Sequence, residues 1–289
     1  MEAHLIQRSP EWIAWKKTKI SGTDSAKILN LNPWASALSL WEEKLNLKES
    51  QKINSSMQRG IDLEPIALQL FNEITDNDFE PIVVEHPKEK WAIASLDGMN
   101  SKNEILEIKA NGQKNHQLAL DGIIPDYYLC QIQHCLWVSG ADIAYYFSYT
   151  PESQKTIEVK PDLEFIKMMV NKEREFFLNL QNFTPPPATD KDFVKRDDDL
   201  WNFHTEKYKL AKLEKTKYQE EEDIHRNILI SLSDGQSCQG NGIRISKTLT
   251  KGRVDYSKIE ALKEIDLEQY RGKPVLSYRF TEVKEKDDS

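Results

Sequence analysis

The chain has 289 residues, 39% of them hydrophobic and 30% charged, with a mean hydropathy of −0.64. Such proportions describe a packed, water-soluble protein and exclude a disordered chain or one with spanning helices, since no apolar run approaches the ~18 residues a span needs. The net charge of −8 and a pI near 5.4 count against a nucleic-acid partner, which ordinarily meets a basic surface. Cys130, Cys135 and Cys238 are too few and too scattered for a disulfide framework or a structural zinc site. The first dozen residues lack the basic head, apolar middle and small-residue cleavage site of a secretion signal, so a reduced, cytoplasmic protein is expected.

Taken in order, Ser9 and Pro10 open a short helix over 10–17, with Glu11 in its first turn. The Ser-Gly-Thr-Asp run at 21–24 is a turn that caps a helix through 29. Helices follow over 39–47 and 59–74; the second carries Ile61, Leu63, Ile66, Leu70, Phe71 and Ile74 at helical spacing. Strand signals come at 81–84, 92–96 and 105–110. A helix over 126–138 precedes an alternating strand at 143–149, a short strand at 157–159 and a helix over 163–180. Residues 182–190 contain Pro185, Pro186 and Pro187, which fit neither a helix interior nor a central strand and read as an extended spacer. The Lys/Glu-rich stretch 198–232 reads as one long helix or a helical hairpin, with strands at 243–249 and 275–283 and a helix over 256–265 beyond it. Residues 190–289 hold 20 Lys and Arg against 21 Asp and Glu, so the acidity, a net −7, belongs to the first 189 residues.

The stretch 92–109 carries the chemistry. Residues 98–103 are turn-like, giving a β-hairpin centred near 100–101. Alternation puts Ser95 and Asp97 on one face, and Ile105, Glu107 and Lys109 on one face of the other strand. Asp97 and Glu107 are then diagonal neighbours, roughly 7–8 Å apart. Two carboxylates about 5 Å apart repel by about 3 kcal/mol at an effective dielectric of ~20, a cost that a divalent cation removes. Hard oxygen ligands suit Mg²⁺ or Mn²⁺, and such an ion polarises a phosphodiester and acidifies a bound water that Lys109 would orient or help deprotonate. The alternative is an exposed hairpin with an ordinary Glu–Lys surface pair.

Several ordered blocks surround this pattern. Asp97, Glu107, Ile108 and Lys109 form D…E-x-K; Arg59, Gly60, Glu64 and Pro65 form R-G-x-x-x-E-P; Tyr128, Gln131 and Gln133 form Y-x-x-Q-x-Q. Upstream stand Arg8-Ser9-Pro10-Glu11-Trp12, Ser21-Gly22-Thr23-Asp24, Asn32-Pro33-Trp34 and Leu40-Trp41-Glu42-Glu43-Lys44. Over about residues 7–150 the sequence resembles the YqaJ-type viral recombinases, the phage lambda exonuclease family of the PD-(D/E)XK nucleases. The resemblance implies an α/β (α+β) restriction-endonuclease-like core, with a mixed central sheet flanked by helices. It further implies Mg²⁺- or Mn²⁺-dependent 5′ to 3′ digestion of linear double-stranded DNA, leaving 3′ overhangs for recombination. A ring-shaped homo-oligomer, a single-strand annealing protein as partner, no membrane, and the host cytoplasm if phage-encoded belong to the same expectation.

Position by position, the resemblance puts Glu64, Asp97, Glu107 and the Ile108 carbonyl around the metal, with Lys109 as catalytic lysine. It makes Gln131 the helix residue nearest the catalytic groups, accompanied by Tyr128 and Gln133. Its 5′-phosphate pocket falls on Lys16, with Lys17 adjacent, and on the hydroxyls of Ser21, Thr23 and Ser95. Lysine at the position of an arginine forfeits bidentate phosphate binding. His116 and His134 read as structural or DNA-facing, and Trp12, Trp15, Trp34 and Trp41 as core or interface aromatics, one of them able to stack on a frayed base. Asp197, Asp198 and Asp199 read as a solvated helix start.

The expected organisation is a nuclease domain over 1–183, a proline-rich linker over 184–192, and a smaller α+β extension with a long helix over 193–289. The extension resembles the tail of some YqaJ-type phage proteins at Val254-Asp255-Tyr256 and Tyr270-Arg271. Oligomer or partner contact through the long helix is its first reading; DNA contact through Lys247, Lys251, Arg253 and Lys258 is its second. The alternatives for the whole are an endonuclease or nickase, and a non-catalytic DNA- or partner-binding module. If the acids are metal ligands, DNA binding is weak without divalent metal, and the surroundings of Lys16, Lys17 and Lys109 are the basic exception on an acidic domain.

Overall fold

Ser9 accepts the Trp12 amide at 3.1 Å and starts α1 (Pro10–Lys17), the first element of a computed structural model that describes residues 9–49, 54–110, 112–263, 265–278 and 280. Arg8, and residues 279 and 281–283 of the expected last strand, lie outside the described residues. Strand β1 (Ile20–Ser21) runs into α2 (Gly22–Ile28), where the Ser21 amide donates to Asp24 Oδ2 at 2.9 Å. Ser36 caps α3 (Ala37–Lys44). Helix α4 (Ser55–Thr75) begins a turn earlier than its apolar spacing predicts, because Asn54 accepts the Met57 amide at 2.9 Å. Pro65 inside α4 has no N–H, so the Ile61 carbonyl loses its helical donor beside Glu64.

Strands β2 (Glu80–Glu85), β3 (Ala92–Met99) and β4 (Ile105–Lys109) follow, then α5 (Gln113–Leu120) and α6 (Asp126–Ser139). Strands β5 (Ala144–Thr150) and β6 (Ser153–Val159) and helix α7 (Leu163–Gln181) end this part. Helix α5 is absent from the sequence reading: Gln113, Lys114, Asn115 and Gln117 make it too polar to announce itself.

The sheet is mixed, in the order β1-β3-β4-β5-β6 with β2 on the free edge of β3. Pairings β1·β3 and β4·β5 are parallel; β2·β3, β3·β4 and β5·β6 are antiparallel. Strands β1 and β4 share one edge of β3: β1 takes Ala92 and Ile93, β4 takes Gly98 and Met99. Residues 94–97 between them have no strand on that side among the described residues. Between Glu80↔Met99 and Ile82↔Leu96 the register shifts, so Asp97 and Gly98 together oppose Pro81 in a β-bulge.

One apolar cluster, with Phe71, Phe79, Leu106, Ile108 and Phe147, packs α4 against the sheet. The other, with Ile20, Leu40, Ile105, Ile132, Leu136 and Met169, joins the sheet to α2, α3, α6 and α7. Helix α6 is buried through most of its length, Cys130 to Leu136 without a break. A Cβ on Gly22 would stand 3.0 Å from Cys135 Sγ and 3.1 Å from Gln131 Cγ, so glycine is what lets α2 lie this close to α6.

Two compact units make up the chain, Met1–Val194 and Lys195–Ser289. The residues after the prolines belong to the first unit: Asp192 accepts from the Ser36 hydroxyl, and Lys191 Nζ donates to the Asn32 carbonyl at 2.7 Å. In the second unit, α8 (Asp199–Leu232) is one continuous helix rather than a hairpin, capped by Asp198 on the Trp201 amide at 3.1 Å. A short hairpin of β7 (Cys238–Gly240) and β8 (Ile243–Ile245) follows. The expected strand at 243–249 shortens to β8, and the helix expected over 256–265 is two 3₁₀ turns, Tyr256–Lys258 and Glu260–Lys263. Residues 275–278, expected as strand, form no regular element.

Candidate active site

The motif residues meet where β1 and β4 part on the edge of β3. Glu107, Ile105 and Lys109 alternate toward α6, while Leu106 and Ile108 point into the cluster under α4. Glu107 is 3% exposed, and both Lys109 Nζ and Gln131 Nε2 (2.6 Å) donate to its Oε1. The Gln131 oxygen accepts from Lys109 Nζ at 3.3 Å, which closes a three-residue ring. Lys109 Nζ also lies 4.8 Å from the centre of the Tyr128 ring.

Asp97 is not the diagonal partner that simple alternation gives. The ladder pairs Gly98 with Leu106 and Met99 with Ile105, which centres the hairpin on Lys102, and the bulge re-aims Asp97. Its Oδ2 accepts the Ile108 amide at 2.8 Å, replacing a strand contact that the parted edge lacks. Burial, then the charges of Glu107 and Glu64, push the Asp97 carboxyl well above its usual range, against Lys109 and the Ile108 amide. Burial works against the Lys109 ammonium too, yet Glu107 and Asp97 outweigh it and hold its pKa above the ordinary lysine value.

A cavity of about 710 Å³ adjoins this cluster through Lys109, lined also by Glu64, Ile108 and Tyr128, and by Trp34, Arg59 and Asn115. The donors suit a hard divalent cation: Asp97 lies within electrostatic reach of both Glu107, which is buried, and Glu64, and the Ile108 carbonyl is next to Glu107 in sequence. Among the described residues no three His, Cys, Asp or Glu side chains converge tightly enough to form a ready cage. Lys109 and Gln131 hold Glu107 instead, and the Ile108 amide holds Asp97.

Gln133, expected beside Gln131, is elsewhere. Its Nε2 donates to the Lys160 carbonyl at 2.9 Å and its Oε1 accepts the Asp162 amide at 2.8 Å, so it ties α6 to the start of α7. Both histidines are structural. His116 bonds Ser148 and Ser153 (2.8 and 2.7 Å), and His134 bonds Glu173 Oε1 and the Ile93 carbonyl (2.8 and 3.0 Å). Glu173 Oε1 also accepts from Ser25, so a fully buried polar cluster locks α2, α6, α7 and β3 together.

Of the expected phosphate pocket, Lys16, Lys17 and Thr23 line a separate cavity of about 240 Å³. Lys27 and Lys44, which the motif does not include, line it as well, with Asp24 and Glu43 as its acids. Lys44 pairs with Asp24 at 3.0 Å and Lys27 with Glu43 at 3.2 Å. Burial, and then Lys44 and Lys27, lower the Lys16 pKa while Asp24 opposes them. Burial pushes Asp24 up, but Lys44, Lys16 and the Ser21 amide more than offset it and hold its carboxyl at about 2. Ser21 is committed to Asp24 through its hydroxyl (2.9 Å), and the Ser95 hydroxyl is buried without a partner among the described residues. Lys109 and the Lys16–Lys17 pair thus line two separate cavities, and Glu107 and Asp97 accompany Lys109.

Tyr146 escaped the sequence reading. It is fully buried, pairs in register with Glu107 across β4·β5, and its hydroxyl has no partner among the described residues. Its strand also holds Tyr145, Ser148, Tyr149 and Thr150, so nothing in the sequence singles it out.

Residues 11–142 match the model of the YqaJ-like viral recombinase domain. Over 174 residues the chain is 29% identical to the uncharacterized protein YqaJ of Bacillus subtilis strain 168, covering 58% of this chain and 54% of that one; it thus spans about half the length of this curated relative. The alkaline exonuclease LHK-Exo of Laribacter hongkongensis superposes with a TM-score of 0.55 at 23% identity, over 61% of this chain and 94% of that one. Its complex with dAMP gives 0.54 at 21% identity over the same shares. The first unit therefore has the mixed-sheet fold of that exonuclease. Motif residues and sheet order agree with this likeness, which for the YqaJ-like viral recombinase domain extends over residues 11–142.

Proposed function

We propose that the first unit is a metal-dependent nuclease that digests linear double-stranded DNA from its 5′ ends and leaves 3′ overhangs for recombination. The observation that carries this reading is the ring of Glu107, Lys109 and Gln131 beside the raised carboxyl of Asp97, with Lys109 reaching the wall of an open cavity that Glu64 and Ile108 also line. Glu64, Asp97, Glu107 and the Ile108 carbonyl are the groups that would hold Mg²⁺ or Mn²⁺, which supplies Lewis-acid polarisation of the phosphodiester and an acidified water. Lys109 orients that water's approach and offsets charge developing on the phosphate; Gln131 fixes Glu107 and Lys109 in one geometry. Lys16, Lys17, Lys27 and Lys44 supply a lysine-rich cavity that a terminal phosphate would enter. A ring-shaped homo-oligomer and a single-strand annealing partner accompany this reading.

The test is digestion of end-labelled linear duplex against closed circular duplex, with 5′-phosphate or 5′-hydroxyl ends, in Mg²⁺ and in EDTA. Loss of 5′ label from linear duplex only, in Mg²⁺ only, is expected. Cutting of the circle makes the protein an endonuclease, and activity that survives both Lys109→Ala and Glu107→Ala removes the site assignment.

A further inference from the structure

Between the C-terminal part of α8 and the β7–β8 hairpin lies a cavity of about 760 Å³ that the nuclease reading does not use. Its floor is aliphatic: Leu229, Ile230 and Ile243 line it while 39%, 48% and 54% exposed, with Ile245 beside them. Its rim is cationic, made by Arg226, Arg244 and Lys247 against one carboxylate, Glu222, with His225 beside them. Arg244 commits its Nε to Gln239 (2.9 Å) and Lys247 its Nζ to the Gly235 carbonyl (3.0 Å). Arg226 forms no hydrogen bond or ion pair among the described residues. Aliphatic side chains gathered in a concavity and rimmed by polar groups mark a binding surface, since covering them removes apolar area from water.

We propose that this cavity binds an acidic peptide of a partner protein, anchored by an aliphatic or aromatic side chain. The anchor fills the Leu229–Ile230–Ile243–Ile245 floor, and carboxylates on either side of it meet Arg226, Arg244 and Lys247. Charge complementarity selects an anion, and the floor selects the kind: no Phe, Tyr or Trp lines the cavity, and its floor is aliphatic, whereas unpaired bases are held by stacking on broad aromatic faces. Arginine forks match carboxylates in a bidentate manner. Residues 281–289 of this chain fit less well, because Lys284 and Lys286 interrupt their acids.

Fluorescence anisotropy on the full chain in EDTA tests this, using a fluorescein-labelled Asp-Glu-Asp-Leu-Phe peptide. Saturable binding is expected, weakened at least tenfold by Arg226→Glu and by Ile230→Asp in proteins with unchanged circular dichroism. Binding is also expected to fall at least tenfold when the peptide is Asn-Gln-Asn-Leu-Phe or Asp-Glu-Asp-Ser-Ser. Equal binding of the anchorless peptide, no saturable signal, or competition by an oligothymidylate overturns the proposal. So does tighter binding after truncation at Phe280, which would make the chain's own end the occupant. Duplex digestion by Arg226→Glu is expected at the unaltered rate, so failure here leaves the nuclease reading standing.

Discussion

Gln131 Nε2 donates to Glu107 Oε1 across 2.6 Å, from the middle of a buried helix to the middle of a buried strand. Neither end has slack, because α6 is pinned by Gly22 on one side and by the sheet on the other. Gln131→Leu therefore frees Glu107 and Lys109 to rotate. A fall in kcat of about 10- to 100-fold, with KM changed much less, is the expected steady-state result on linear duplex.

Lys109 is held by Glu107, Gln131 and the Tyr128 ring together. Lys109→Ala removes a charge that stabilises the transition state, and a loss on the order of 10³-fold in kcat is expected. Lys109→Arg keeps the charge but not the compact ammonium in this ring, so single-turnover rates stay low for it too.

Asp97 carries a cost in the metal-free fold. Its folded pKa is raised, first by burial and then by Glu107 and Glu64, so its ionisation above the unfolded value near 3.8 opposes folding. Asp97→Asn is expected to raise the urea midpoint at neutral pH in EDTA while abolishing digestion in Mg²⁺. A lower midpoint for the variant contradicts this.

Asp24 has the opposite sign. Its folded carboxyl stands at about 2 against an ordinary 3.8, so its contribution is present above the higher value and disappears as pH falls through the lower. That difference amounts to about 2 kcal/mol. Asp24→Asn should flatten the acid limb of stability against pH between roughly 4 and 2, and Lys44→Met should reproduce part of that change.

His134 is raised above its ordinary value: burial opposes the charge, but Glu173 and the Ile93 carbonyl outweigh it. Its contribution is complete below pH 6.5 and is lost as pH rises through the higher folded value. Removing one partner strands the other, so His134→Ala is expected to cost about 3–5 kcal/mol by chemical denaturation, much of it recovered in His134→Leu/Glu173→Leu.

Much of this site is legible from local patterns. The spacing of Glu107, Lys109 and Gln131 survives folding unchanged, because a regular strand and a regular helix translate spacing directly into direction. Asp97 is legible as a residue but not as a geometry: the bulge exists only because β2 pairs with β3 out of step, a contact no hairpin count contains. Gln133 misleads for the converse reason. It shares the motif of Gln131 yet points two residues around α6, toward Asp162. Lys27 and Lys44 join the cavity of Lys16 and Lys17 only through the packing of α2 on α3. In the second unit the polar α8 is readable by composition, but β7 is three residues long and has no sequence signature.

The Ser25–His134–Glu173 cluster also sets an order in time. Every residue of the proposed catalytic centre, from Glu64 to Gln131, leaves the ribosome before Glu173 does. Until α7 arrives, Ser25 and His134 sit in an apolar interior with their shared acceptor missing, a desolvation cost that keeps the unit open. Nascent chains stalled before residue 173 should bear the whole motif and yet remain protease-sensitive and inert, so that cutting ability switches on only after the helix farthest along the unit has docked.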